Sequence, residues 1–269
     1  MASPLPPEQS IPEGNDSGRM SFFEHLAELR KRLIYALLAV LVGTIAGFTV
    51  ARRVYLVLVL PIVGAFQAAN QEATLISTSP AGPLNLYLKL SIYIGFVLAF
   101  PVVLYQIWLF IAPGLYKHER RSAALFILSS ASLFLSGIAF CYFVLLPYTL
   151  KFLVGFDLPY FKPMISINEY WDLVLVLMLG MGLVFQTPVL IFFLALFGVV
   201  TPGFLWRNFR YAVLIISLVA ALVTPTPDAL TMLVFMAPMI ALYLLGIAVA
   251  AVVVRRKGRK ESIARQGAA

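Results

Sequence analysis

Apolar residues fall into long unbroken runs separated by short polar or proline-bearing links. A helix that crosses the hydrocarbon layer needs about 20 such residues. The runs that satisfy or approach this are Leu33 to Ala51, Leu84 to Phe110, Ala123 to Leu146, Leu173 to Phe197, Tyr211 to Val223 and Ala229 to Val254. The pattern predicts an all-α polytopic membrane protein with six transmembrane helices. The fifth run is short, spanning only about 20 Å at 1.5 Å per residue. Val54 to Phe66 is also apolar but contains Pro61 and is too short to span, which fits an interfacial or re-entrant helix.

Basic residues then orient the runs. With six spans and the N-terminus inside, Arg19, Arg30, Lys31, Arg32, Lys117, Arg120, Arg121, Arg207, Arg210, Arg255, Arg256, Lys257, Arg259, Lys260 and Arg265 lie on the cytoplasmic side. Only Arg52, Arg53, Lys89, Lys151 and Lys162 of the 20 basic residues lie outside, the asymmetry expected of an inner-membrane protein. A seventh span would carry the Arg255–Lys260 cluster across the bilayer. Both termini are therefore expected in the cytoplasm. The chain divides into a polar, proline-rich tail (1–20), a membrane domain (21–254) and a basic cytoplasmic tail (255–269).

Composition agrees: 61% of the 269 residues are hydrophobic and 12% charged, with a mean hydropathy of +0.94, against about 25% charged residues in a soluble domain. The net charge of +8 sits at the ends of apolar runs rather than on one soluble face, so it argues against nucleic acid as a partner. Cys141 is the lone cysteine and there are two distant histidines, so neither a disulfide nor a metal-ligand cluster is expected. A nucleotide-binding lysine loop is missing, as is any nucleophile–base set. No cofactor or enzymatic activity is expected.

Three segments carry polar chemistry. In Ser21-Phe22-Phe23-Glu24-His25-Leu26-Ala27-Glu28-Leu29-Arg30-Lys31-Arg32, Ser21 and Glu24 form a capping box that starts a helix. Glu24, Glu28 and Arg32 share one face at four-residue steps, the pattern of a solvated lead-in helix with acid–arginine pairs. The link Phe110-Ile111-Ala112-Pro113-Gly114-Leu115-Tyr116-Lys117-His118-Glu119-Arg120-Arg121 turns at Pro113-Gly114 and holds one acid, Glu119, among bases. Those bases would neutralise it. In the fourth span, Gln186 places an amide deep in the membrane, where it needs a partner. Pro188 frees a carbonyl one turn back that Gln186 or Thr187 can satisfy. The residues alone leave this amide equally open to a structural and a functional role.

Together these segments resemble the TatC family, the receptor subunit of the twin-arginine protein translocase. The resemblance rests on Phe23-Glu24-His25-Leu26-Ala27-Glu28-Leu29-Arg30-Lys31-Arg32-Leu33, on the run from Pro101 to Arg121 through Tyr105-Gln106-Ile107-Trp108, and on the Thr224-Pro225 to Asp228 break before the last span. It covers residues 20–255. It implies a concave six-helix bundle with its last two spans short, which binds the paired arginines of signal peptides on proteins exported in the folded state. The family's signal-peptide-binding acids fall on Glu28 and Glu119, with Phe110 beside them. Single-span subunits of the TatA and TatB type, a multi-copy complex and the proton-motive force are further implications, with no bound cofactor. The family often carries a glutamate where this chain has Gln186. An amide there can meet a polar group on a partner helix but cannot titrate. The rival reading is a small secondary transporter or channel, which would need ionisable groups along a midplane pathway.

Overall fold

The computed structural model describes residues 22–72, 75–111, 123–155, 164–224 and 229–266. Helix α1 (Phe22–Leu58) has 37 residues. At 1.5 Å per residue it is about 55 Å long, well beyond the roughly 30 Å of a hydrocarbon layer. It does not stop at Arg52-Arg53, because charge alone does not break a helix and both arginines are exposed. The break comes at Pro61, inside helix α2 (Leu60–Ala68). Proline has no amide hydrogen to give the Val57 carbonyl, so the Tyr142 hydroxyl donates to it instead at 2.9 Å. The Tyr170 hydroxyl donates to Leu58 at 2.6 Å and lies within hydrogen-bonding reach of the Ile62 amide.

The Val54–Phe66 stretch is thus the end of α1 followed by α2, with Ile62, Ala65 and Phe66 buried. Its partner is α5 (Leu146–Val154). Packing of this kind distinguishes it from a helix lying free on a lipid surface.

Helix α3 (Gly82–Ile111) is continuous through Pro101. Helix α4 (Ala123–Phe140) passes through one π-helical turn, Cys141–Leu145, into α5. Pro147 enforces that wider turn by withholding its amide. Helix α6 (Ile167–Val184) and α7 (Thr187–Leu196) are two halves of one span, interrupted at Phe185-Gln186. The carbonyl that Pro188 leaves free belongs to Val184, and the Thr187 hydroxyl donates to it at 2.6 Å. The short α8 (Pro202–Arg207) follows, started by the Thr201 hydroxyl, which accepts from the Phe204 amide. Helices α9 (Phe209–Val223) and α10 (Ala229–Gln266) complete the chain.

Five stretches among the described residues are long and apolar enough to cross a membrane: Glu24–Ala68, Gly82–Phe110, Phe126–Val154, Ile167–Leu196 and Thr231–Arg255. A sixth apolar helix, α9, has 15 residues. The fifth span is therefore short, whereas the last is not, with an apolar section of 25 residues. The basic stretch from Arg255 continues α10 as helix to Gln266.

The longest seam joins α1 to α3. A Cβ on Gly43 would fall 2.5 Å from the Gly95 carbonyl oxygen, and one on Gly95 would fall 2.4 Å from the Thr44 nitrogen. Likewise a Cβ on Gly47 would fall 2.6 Å from the Ser91 oxygen. Backbone meets backbone, the contact that small residues at four-residue spacing permit in membranes. Moving from Gly43 to Gly47 on α1 moves back from Gly95 to Ser91 on α3, so the two helices run antiparallel. Helix α3 then packs on α4, through the stacked rings of Phe100 and Phe134 at 3.7 Å, and α4 on α6. On the other side α7 and α9 both pack on α10.

Two short strands, β1 (Leu75–Ile76) and β2 (Ile165–Ser166), pair in parallel and tie together the links that precede α3 and α6. Near them Lys89 of α3 and Asp172 of α6 form an ion pair.

Candidate functional site

The polar chemistry gathers where the N-terminal end of α1 meets the C-terminal end of α3. The absence of glycine or proline between Phe22 and Val42 keeps α1 helical right through its charged start. That rigid extension carries His25 to α3, where its ring stacks on Phe110 at 4.4 Å with planes 20° apart. Phe110 is half-buried beneath it.

One turn further along α1, Glu28 accepts from Arg32 Nη2 at 3.1 Å. The sequence pattern suggests a solvated pair, but the side chains of Glu28 and Arg32 are only 17% and 24% exposed. Their burial follows from helical phase. Arg32, Gly43 and Gly47 lie on one stripe of α1, and that stripe is the one pressed against α3. The pair touches at a single point. Glu28 Oε2 and Arg32 Nε are both buried and have no hydrogen-bond partner among the described residues.

Gln106 adds a third such atom, its Oε1. It shares with Ser91 and Gly95 the α3 face that meets α1. Stepping back along α1 from Gly43 to Arg32, and forward an equal number of residues along α3 from Gly95 to Gln106, sets these two side chains level. Sequence reasoning gives Gln106 no role of its own, and gives Arg32 only a solvated pairing on α1. The available signal was an amide inside the apolar run Leu104-Tyr105-Gln106-Ile107-Trp108, one helical turn before Phe110.

Of the residues singled out from sequence, Glu28 and Phe110 come together here, joined by His25, to which the sequence gives no role of its own. Glu119 lies outside the described residues. Gln186 lies elsewhere, at the break between α6 and α7. Its Nε2 donates to the Ser130 carbonyl of α4 at 3.1 Å, while its Oε1 and the neighbouring Ser130 hydroxyl have no partner among the described residues. No group of three metal-ligating side chains occurs among the described residues.

On the side of α1 turned away from α3, Ala27, Arg30, Lys31, Ile34 and Tyr35 line an open hollow of about 440 Å³. Bases therefore flank the buried acid on a second face.

The family model described as Sec-independent protein translocase protein (TatC) matches residues 24–238, which includes the α1–α3 seam and both helix breaks. The chain belongs to the TatC family. The chain is 46% identical over 251 residues to the Sec-independent protein translocase protein TatC of Koribacter versatilis, covering 92% of each. It is 38% identical to the TatCy protein of Bacillus subtilis, over 91% of this chain and 94% of that one. A crystal structure of the twin-arginine translocase receptor TatC superposes with a TM-score of 0.73 at 36% identity, covering 86% of this chain and all of that one. This TatC chain is thus a membrane component of a protein translocase rather than an enzyme, and its mainly helical fold is that of the solved receptor.

Proposed function

We propose that this TatC chain is the translocase subunit that recognises twin-arginine signal peptides and takes part in exporting folded proteins across the bacterial inner membrane. The arginine pair binds Glu28 and Glu119, with Phe110 alongside. The observation that carries this reading is the Glu28 carboxylate, held against α3 one turn from the His25–Phe110 stack with one oxygen unpaired. A guanidinium presents parallel donors that a carboxylate accepts in a forked geometry, and each charge-assisted bond contributes about 1.5–3 kcal/mol. Lysine has no such fork, so an acid pair can favour arginines.

The positive-inside pattern supports placing this end, and both termini, in the cytoplasm, where a leader peptide is first presented. The exposed apolar faces of the bundle suit lipid and single-span subunits of the TatA and TatB type. Gln186, whose donor already holds Ser130, keeps one enclosed acceptor unpaired, which a polar group of a partner helix would satisfy on parting α4 from the α6–α7 break. Transport draws on the proton-motive force, with no bound cofactor. A secondary transporter fits less well. Lys89 and Asp172, near the starts of α3 and α6, neutralise each other, and the amide of Gln186 cannot carry protons.

Export of a folded reporter with a twin-arginine leader, in cells whose only TatC carries Glu119→Ala at normal abundance, tests the assignment. Export should fall by tenfold or more (about 1.4 kcal/mol per factor of ten). Undiminished export would remove Glu119 from the site.

A further inference from the structure

Glu28 is already engaged by a guanidinium from its own chain. An incoming arginine therefore has to share the carboxylate with Arg32 or replace it. Sharing leaves Arg32 Nε and Gln106 Oε1 unpaired, just as they are without ligand. Replacement needs somewhere for Arg32 to go, because a buried guanidinium stripped of its acceptor is strongly unfavourable. The α3 face supplies that place. Gln106 Oε1 is a buried acceptor without a partner among the described residues, on the stripe that meets α1 and level with Arg32.

We infer that Arg32 is an internal competitor for the signal-peptide site: it holds Glu28 when the site is empty and passes to the Gln106 side-chain oxygen when an arginine arrives. The inference rests on the reading of Glu28 as a signal-peptide acid. In the exchange Glu28 Oε1 loses its bond from Arg32 Nη2, and both carboxylate oxygens turn to the incoming fork. Arg32 turns to Gln106, using a donor and an acceptor that were idle before.

The exchange also supplies selectivity. Any ligand must displace a guanidinium, and an ammonium makes a weaker, unforked contact with a carboxylate. A lysine leader is therefore rejected because the occupant it must evict is the better ligand. Arg32 and Gln106 are positioning residues in this scheme, acting through Glu28.

The test uses the full-length protein purified in detergent, a synthetic twin-arginine leader peptide and its twin-lysine counterpart. Wild type should prefer the arginine peptide. Arg32→Gln should raise twin-lysine affinity about tenfold and twin-arginine affinity less, so that the preference shrinks. Gln106→Leu should weaken twin-arginine binding about tenfold in the wild-type background and have no effect alongside Arg32→Gln, since no displaced arginine then needs a seat. Arg32→Lys, which keeps the charge but not the fork, should fall between wild type and Arg32→Gln, and it stands in if the glutamine variant proves unstable. An undiminished arginine preference in the Arg32 variants overturns the exchange, as does a Gln106→Leu defect that persists alongside Arg32→Gln. Equal wild-type affinity for the two peptides overturns the reading of Glu28 itself, and the exchange with it.

Discussion

The middle of the α1–α3 seam and its end at Phe110 are made from the same two helix faces, yet they are finished differently. Around Gly43, Gly47 and Gly95 each added methyl group would fall first on backbone of the facing helix, and it has no room. At the end, the same stripes carry Arg32 and Gln106, and buried polar atoms on Glu28, Arg32 and Gln106 go without partners. At a third station on α1, the break at Pro61, two tyrosine hydroxyls cover the freed carbonyls of Val57 and Leu58, the second of them buried. Unpaired buried atoms are rare in folded proteins and concentrate where structure yields to function. The close-packed middle fixes the register, and the fixed register aligns the unsatisfied end.

The strongest way to break this comparison is to wedge the seam. Gly95→Val places a branched side chain where a Cβ alone would sit 2.4 Å from the Thr44 backbone nitrogen. A flexible side chain can move aside from such a clash, but two helix backbones cannot. Overpacking commonly costs about 1–3 kcal/mol where neighbours give way, so the loss here should exceed about 3 kcal/mol. Thermal unfolding of the purified protein would register it as a large drop in Tm. Gly64, which has nothing within 4 Å of an added Cβ, provides the control: Gly64→Ala in α2 should hold or slightly raise the Tm. An unchanged Tm for Gly95→Val would mean that the seam is not what sets the register.

Next in size is Tyr170→Phe, which tests whether the Pro61 break is truly satisfied. Removing the hydroxyl leaves the buried Leu58 carbonyl without its donor and takes away the oxygen beside the Ile62 amide. Leaving such groups unpaired costs about 1–3 kcal/mol. Tyr142→Phe should cost less, because its bond to Val57 is exposed. Equal effects of the two changes would show that burial at this station does not matter.

Much of this architecture is legible in the apolar runs, because a spanning helix declares itself by length and hydropathy. The shortness of α9 was readable for the same reason. What the runs concealed is where helices end. Arg52-Arg53 resembles a span boundary, but helix continuity depends on backbone donors, and the first residue to withhold one is Pro61. Half of the candidate site was likewise readable, since Glu28 and Phe110 stand in long distinctive motifs. Gln106 was not, because its meaning depends on which face of α3 meets α1. The small-residue spacings Gly43–Gly47 and Ser91–Gly95 encode that register, and they acquire their sense only as a pair. The burial of Glu28 and Arg32 follows from that same register, so a reading confined to α1 gives a solvated pair.

Two ion pairs sharpen the contrast at the smallest scale. Glu28–Arg32 is confined between helices, whereas the side chains of Lys89 and Asp172 are 46% and 54% exposed. The exposed pair brings α3 and α6 together in plain view and invites a stabilising role. Exposure argues the other way: water or headgroups solvate both charges when they part, and holding two side chains in one geometry costs entropy. Lys89→Met, which keeps the apolar stem of the lysine on α3, should therefore change stability by less than about 1 kcal/mol. The Tm in detergent at low and high salt is the measurement. A loss as large as that of Tyr170→Phe, or a pronounced salt dependence that vanishes in the variant, would show that the α3–α6 contact leans on charge. A near-silent result would leave the interface to its apolar packing, and would set Lys89–Asp172 below Glu28–Arg32 in what its loss costs.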